Sequence, residues 1–206
     1  MASRPDLQAL ASVDDLRRAT RALVDAFDGY PLTEWVVLRD ERHSTRLAIY
    51  VREMVDVATP GGHGLIDAQG RAAALWMPWD RPEPGVSAVL RRLPLIPKIT
   101  GWRRLASRLR GLATLSTDHP PEPHAYLSML GVRKEDQRSG IGTALLRAGL
   151  ARSDAAGVGA FLHTSNPDAI PFYARHGFEI RGEALRLPDG PEIWRLWRAP
   201  SVIPTR

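Results

Sequence analysis

Gln137-Arg138-Ser139-Gly140-Ile141-Gly142 lies between two apolar stretches of different period. Before it, Tyr126 to Val132 reads as a strand. After it, Ile141, Ala144, Leu145, Ala148, Ala151 and Ala155 share one helical face within Ile141 to Ala156, and Gly157 follows where a helix-ending glycine belongs. Closely spaced glycines at a strand-to-helix turn let the backbone approach an anion, and the first amides of the helix point at it. A pyrophosphate fits such a cradle; a glycine-rich turn that binds nothing would read the same way. Two common phosphate motifs fail on this loop. The dinucleotide fingerprint wants Gly or Ala where Leu145 stands, and an acidic residue at the next strand end, where the chain has His163-Thr164-Ser165. The P-loop needs Gly-Lys followed by Ser or Thr, a triplet the sequence lacks.

Working outward, Ala160 to Thr164 reads as a buried strand. Ser165-Asn166-Pro167-Asp168 turns into a short helix through Tyr173 and Arg175, closed by Gly177. Phe178–Arg181 and Ile193–Trp197 read as closing strands around the Pro188-Asp189-Gly190 turn. Toward the N-terminus, Val13, Leu16, Ala19, Leu23, Ala26 and Phe27 predict a helix behind a Ser12/Asp14 cap, stopped at Asp28-Gly29-Tyr30-Pro31. A second helix is expected from about Asp40 to Val57, with Leu47, Tyr50, Val51, Met54 and Val55 on one stripe. Gly64–Ala68 and Arg71–Met77 then form a hairpin through Asp67-Ala68-Gln69-Gly70. Prolines punctuate residues 78–122, which hold an Arg-rich helical stretch from Ile99 to Leu115 around Trp102, Leu105, Leu109 and Leu112. That stretch suits a nucleic-acid or membrane surface, but such a pattern is more often an ordinary helix with a solvated face. The order of elements predicts a mixed α/β sheet.

Composition bounds the possibilities. The chain has 206 residues with 44% hydrophobic and 25% charged, ordinary for one globular domain and unlike a disordered chain. It has no cysteine, which excludes disulfides, thiolate metal sites and cysteine nucleophiles and makes a reducing cytoplasm the expected compartment. Asp6, Asp14, Asp15 and Arg17 interrupt any leader-like run, and no transmembrane helix is expected. The net charge of +5 comes almost wholly from arginine, lysine occurring only at 98 and 134. Codon bias produces such a skew, and a basic balance also suits an anionic partner such as a nucleotide cofactor.

The loop, with Gln137, Arg138, Gly140 and Gly142 in place, resembles the acetyl-coenzyme A loop of the GNAT acetyltransferase superfamily. Leu130-Gly131-Val132 before it, and Leu162 to Pro167 and Pro171 to Phe178 after it, follow that family's order. Within the superfamily the chain resembles puromycin N-acetyltransferase and its actinobacterial relatives over almost its whole length. Ala26-Phe27-x-x-Tyr30-Pro31, Asp40-Glu41-Arg42-His43, Ala74-Leu75-Trp76 and Leu187-Pro188-Asp189-Gly190-Pro191 carry that likeness. It is weakest over 78–122. The resemblance implies one domain over 1–206 with the GNAT fold: a mixed, mostly antiparallel twisted sheet flanked by helices. Residues 124–184 would form the acetyl-CoA-binding core. Residues 78–122 would form a helical insertion between the third and fourth strands, shaping the acceptor pocket.

The same resemblance implies an acetyl-CoA-dependent N-acetyltransferase acting on the primary amine of a small, partly hydrophobic, antibiotic-like molecule. A protein or peptide amine is an alternative acceptor, and a non-catalytic basic binding protein on the same scaffold is a second alternative. Cofactor contacts are expected from Leu130, Gly131, Val132, Gln137, Arg138, Ser139, Gly140, Ile141, Gly142, Thr143, Asn166 and Tyr173. Tyr173 occupies the family's general-acid position; outside that motif it would read as a buried aromatic. His163 stands where the relatives carry glutamate and reads equally as a base or as a core histidine. Tyr30, Trp35 and Trp76, with Trp79, supply aromatic surface for the acceptor, and Glu34 and Asp80 are the acids nearest in sequence. The six histidines have no ligand spacing, so no metal is expected. Neither nucleic acid nor membrane is an expected partner, and the chain would act as a monomer or homodimer.

Overall fold

The computed structural model describes residues 5–59, 63–78 and 92–201. Their strands and helices run β1 (Leu7–Ala9), α1 (Val13–Phe27), α2 (Pro31–Val36), α3 (His43–Ala58), β2 (His63–Asp67), β3 (Ala72–Pro78), α4 (Leu95–Thr100), α5 (Leu105–Thr117) and β4 (His124–Val132). There follow α6 (Ile141–Ala155), β5 (Gly159–Thr164), α7 (Ile170–Ala174), β6 (Glu179–Ile180), β7 (Leu185–Arg186) and β8 (Glu192–Arg198). The strands form one sheet in the order β1-β2-β3-β4-β5-β8-β6, with β7 paired to β8. Every pairing is antiparallel except β4 with β5. This is the mixed, mostly antiparallel sheet flanked by helices that the sequence led us to expect.

Local chemistry sets the element boundaries. Helix α1 starts at a reciprocal cap: Asp15 N–H donates to Ser12 Oγ (3.0 Å) and Ser12 N–H to the Asp15 carboxylate (2.9 Å). The partner of Ser12 is therefore Asp15, not Asp14. The Ser12 hydrogen bonds hold the Asp15 carboxyl well below the usual carboxylate range. Helix α3 begins at His43 rather than Asp40, because Asp40 accepts from the amides of Arg42 and His43 in a turn before it. The expected Ile99–Leu115 helix is two helices. Gly101, at φ 71° and ψ 157°, breaks it, and a 3₁₀ turn over Trp102–Arg104 joins the halves. Strand β1 and helix α2 have no sequence counterpart: three residues of mixed polarity and six residues starting at a proline carry too little periodicity.

The central strand β3 is buried from Ala72 to Trp76 because helices cover both faces. On one face Ala73 and Leu75 join Leu23 of α1 and Leu47, Val51 and Val55 of α3. On the other, Ala72, Ala74 and Trp76 meet Leu145, Leu146 and Leu150 of α6. Helix α6 approaches closely through Gly149, where a Cβ would lie 2.2 Å from the Trp76 indole. This packing sets the start of α6 beside the end of β4.

Candidate active site

Strands β4 and β5 pair only over His124–Tyr126 and Gly159–Phe161. Beyond Tyr126 they part. On its other side β4 follows β3 in a constant register from Val132 to Met129, then slips so that Leu127 faces Trp76. Ser128 is the extra residue of that bulge, and a bulge bends its strand. The bend falls where β5 is lost, and a cavity of about 890 Å³ occupies the cleft.

One end of the cleft holds several of the residues expected to meet a cofactor. Leu130, Gly131, Val132, Gln137, Asn166 and Tyr173 line the cavity. Arg138, Ser139, Gly140, Ile141, Gly142 and Thr143 lie past that lining, at the start of α6. No side chain caps this helix, and its first internal bond runs from Ala144 N–H to the Gly140 carbonyl. The amides of Gly140 to Thr143 are therefore free for an anion. Arg138 (φ 62°) and Gly140 (φ 86°) both take left-handed conformations, which turn the chain into the helix. An ideal Cβ on Gly140 meets nothing within 4 Å, so the space above it is open. On Gly142 it would lie 3.2 Å from Val132 Cγ2, so that glycine serves helix-to-strand packing rather than ligand approach. Ile141 is a core side chain, 2% exposed, with only its amide to offer.

Tyr30 and Asn166 belong to one hydrogen-bond chain. Ser165 N–H donates to Tyr30 Oη (3.0 Å), and Tyr30 Oη is 2.9 Å from Thr164 Oγ1. The Thr164 hydroxyl donates in turn to the Asn166 carbonyl (3.3 Å), so Tyr30 is the donor to Thr164. Asn166 Oδ1 accepts from Asp168 N–H and starts the turn before α7. Tyr30 thus ties the α1–α2 corner to the end of β5 while its ring faces the cavity. Tyr173, half-buried on α7, makes no side-chain hydrogen bond to another described residue. Burial, with a smaller effect from Tyr30, pushes its phenol well above the ordinary tyrosine value.

His163 is 3% exposed in its side chain and engaged at both nitrogens. Nε2 lies 3.0 Å from Asp118 Oδ2 and Nδ1 lies 3.2 Å from Tyr126 Oη. Burial pushes its pKa below the ordinary histidine value against the opposing pull of Asp118. Asp118 also accepts from Arg195 Nη1 at 3.2 Å. Beside them, His124 Nδ1–H donates to the Glu122 carbonyl (2.7 Å), which leaves its Nε2 to accept from His119 Nδ1 (3.0 Å). His119 keeps part of its surface exposed, yet desolvation and the neighbouring imidazoles push it down to about 4.

The far end of the cleft is mostly apolar. Tyr50, Met54 and Val57 of α3, Leu112 and Leu115 of α5, and Ile96 wall it, together with Arg92, which pairs with Glu53. The insertion helices thus contribute to this wall. All four tyrosines of the chain, at 30, 50, 126 and 173, line this one cavity. Among the described lining residues there is no carboxylate.

Two expected acceptor residues lie elsewhere. Trp35 is 5% exposed in the core, its Nε1–H bonded to the Pro188 carbonyl (3.0 Å) and its ring under the Arg108 guanidinium (4.3 Å). Trp76, 1% exposed, points to the α6 face of the sheet, away from the cleft. The alternation of β3 decides this: Met77, the next residue, reaches the cavity instead. Trp79 and Asp80 lie outside the described residues. Sequence reading missed Asp118, Tyr126 and His119; only the phase of β4, with His124 and Tyr126 two residues apart, pointed toward them. One described group could hold a cation: Asp28, Glu34 and His43. Its carboxylates already face Lys134 and Arg39.

The acetyltransferase (GNAT) family pattern matches residues 95–178, which span the insertion helices, the split strands and the α6 loop. Over this segment the chain is similar to GNAT acetyltransferases. Members of that family use an acyl-CoA donor, and the uncapped α6 loop fits the pyrophosphate such a donor carries. Solved structures share the fold. A histone acetyltransferase HPA2-related acetyltransferase from Corynebacterium glutamicum is 22% identical, with TM-score 0.74 over 98% of this chain and 100% of that one. Arylalkylamine N-acetyltransferase 2 from Aedes aegypti is 10% identical, with TM-score 0.61 over 97% and 100%. Among the described residues no helix is long and apolar enough to cross a membrane.

Proposed function

We propose that this protein is a GNAT acetyltransferase that transfers an acetyl group from acetyl-CoA to the primary amine of a small, partly hydrophobic molecule. The observation that carries the reading is the cavity at the β4–β5 split, walled by four tyrosines and aliphatic side chains and without a described carboxylate. A pocket of this kind favours an aryl or alkyl amine over a polycation, which needs fixed negative charge to replace its water.

Acetyl-CoA supplies an activated thioester. The amides of Gly140 to Thr143 would hold its pyrophosphate, and Leu130 to Val132 and Asn166 would flank its arm. The Tyr173 hydroxyl, without another partner, would donate to the departing sulfur. Its raised pKa makes full proton transfer costly but keeps the donor protonated throughout the working range. His163, held neutral by burial, would be the base that takes up a proton as the amine loses one.

An amine panel read by release of free coenzyme A tests this. Aryl-bearing amines should turn over faster than spermidine. Preference for spermidine, or release only with peptide amines, would overturn the acceptor class.

A further inference from the structure

Three groups beside the cleft form a directed chain whose polarity the chemistry fixes. A carboxylate only accepts, so the 3.0 Å contact between Asp118 Oδ2 and His163 Nε2 places a hydrogen on Nε2. A neutral imidazole then has a bare Nδ1, and the Tyr126 hydroxyl at 3.2 Å is its donor. Tyr126 and His163 both line the cavity; Asp118 does not. It sits behind them, at the end of α5, anchored by Arg195 of β8. His163 has no free nitrogen with which to meet an amine directly.

We propose that the Tyr126 hydroxyl is the group that takes the proton from the acceptor amine, passing its own to His163 Nδ1, and that Asp118 is the positioning residue that sets this direction. The proposal rests on the acetyltransfer reading above. In the step, the amine nitrogen forms a bond to the thioester carbonyl carbon and the carbon–sulfur bond breaks. The proton leaving nitrogen goes to Tyr126 Oη while the Tyr126 proton crosses to His163. The sulfur gains its proton from Tyr173. His163 later releases a proton to solvent and Tyr173 regains one, so the balance closes. The imidazolium formed in the step is paired with Asp118, as a general base needs when it is buried. Every described charged or titratable group packed on His163 enters this balance: Asp118 and His119 from the end of α5, Tyr126 from β4 and Arg195 from β8.

The test uses the full chain and has two readouts. Imidazole nitrogen NMR of the free protein should show His163 protonated at Nε2, shifting toward a mixture of tautomers in Asp118→Asn. With the fastest amine of the panel, Tyr126→Phe should lower kcat about 10²-fold or more at unchanged KM for acetyl-CoA. Asp118→Asn should lower kcat and move the acidic limb of the rate to lower pH, because the imidazolium loses its counter-charge. Asp118→Glu should restore part of the rate. Arg195→Gln, which removes the anchor of Asp118 but leaves its carboxylate on His163, should lower kcat less than Asp118→Asn does; equal losses in both would mean a merely structural role. A hydrogen on Nδ1, or Tyr126→Phe with wild-type kcat, overturns the proposal. A panel in which no amine releases coenzyme A overturns the acetyltransfer reading instead, whatever the NMR shows.

Discussion

Replacing Gly140 and Gly142 separately should divide two roles that the loop combines. Gly140 sits at φ 86° and ψ −5° with open space where a Cβ would go. Gly140→Ala therefore meets no clash, and its cost is conformational: about 1–2 kcal/mol for an L-residue held on the left-handed side. For a chain of this size each kcal/mol moves Tm by roughly 2–4 °C, so the free variant should melt about 2–8 °C lower. If the residue instead relaxes to a negative φ, the strain disappears and the amides of 140–143 turn away from the anion. Either way ligand stabilisation suffers. At about 100 times Kd, acetyl-CoA adds about 2.7 kcal/mol to the wild type, and Gly140→Ala should show much less at the same concentration. Gly142→Ala differs. Its Cβ would lie 3.2 Å from Val132 Cγ2, which a shift of a few tenths of an ångström relieves, while Ala in a helix gains up to about 1 kcal/mol over Gly. It should melt within a few degrees of wild type and keep most of its ligand shift. Thermal melts with and without acetyl-CoA check both. Gly140→Ala with wild-type Tm and an undiminished shift, or Gly142→Ala as the more damaging change in binding, would refute the reasoning.

Tyr173→Phe should lower kcat by something like 10²–10⁴-fold with little change in acetyl-CoA affinity by calorimetry; a loss confined to KM would assign Tyr173 to binding. Burial holds His119, His124 and His163 below their ordinary values, so the native state refuses protons that the unfolded chain takes up near pH 6.5. Stability should therefore fall as pH drops from about 6.5 to 5, a window above the titration of the unfolded carboxylates, and equal urea midpoints at both pH values would contradict this. Trp35→Phe removes the bond to the Pro188 carbonyl and weakens the stack on Arg108. It should destabilise by about 1–3 kcal/mol in denaturant melts yet leave the acceptor KM unchanged, and a raised KM would return Trp35 to the pocket.

What could be read from the sequence follows the physics of repetition. Helix α1, helix α6 and the β2–β3 hairpin have periods long enough to name their buried faces, and the α6 loop was legible as a turn because its glycines fall where the period changes from strand to helix. The stripe on α3 was legible too, although it divides: Leu47, Val51 and Val55 enter the core, and Tyr50 and Met54 reach the cavity. Trp35 and Trp76 misled because aromatic composition carries no direction. Trp76 turns to α6 through the space at Gly149, and Trp35 is held under a buried arginine. The group around His163 was illegible for another reason. Asp118 lies 45 residues from its partner, in a stretch of prolines without period, and only the fold brings them to 3.0 Å.

The single surplus residue in β4 has a consequence for how this enzyme can change. Because Ser128 displaces the register against β3 at the point where β5 departs, the position of the cleft is set by counting residues, not by their identity. Substitutions along Tyr126–Val132 can resize or recharge the pocket while its place along the strand stays fixed. Losing one residue there would realign the upper half of β4 with β3 and turn each of its side chains to the opposite face of the sheet. Acceptor preference can therefore drift freely by point mutation, whereas insertion or deletion at this position should be all but forbidden.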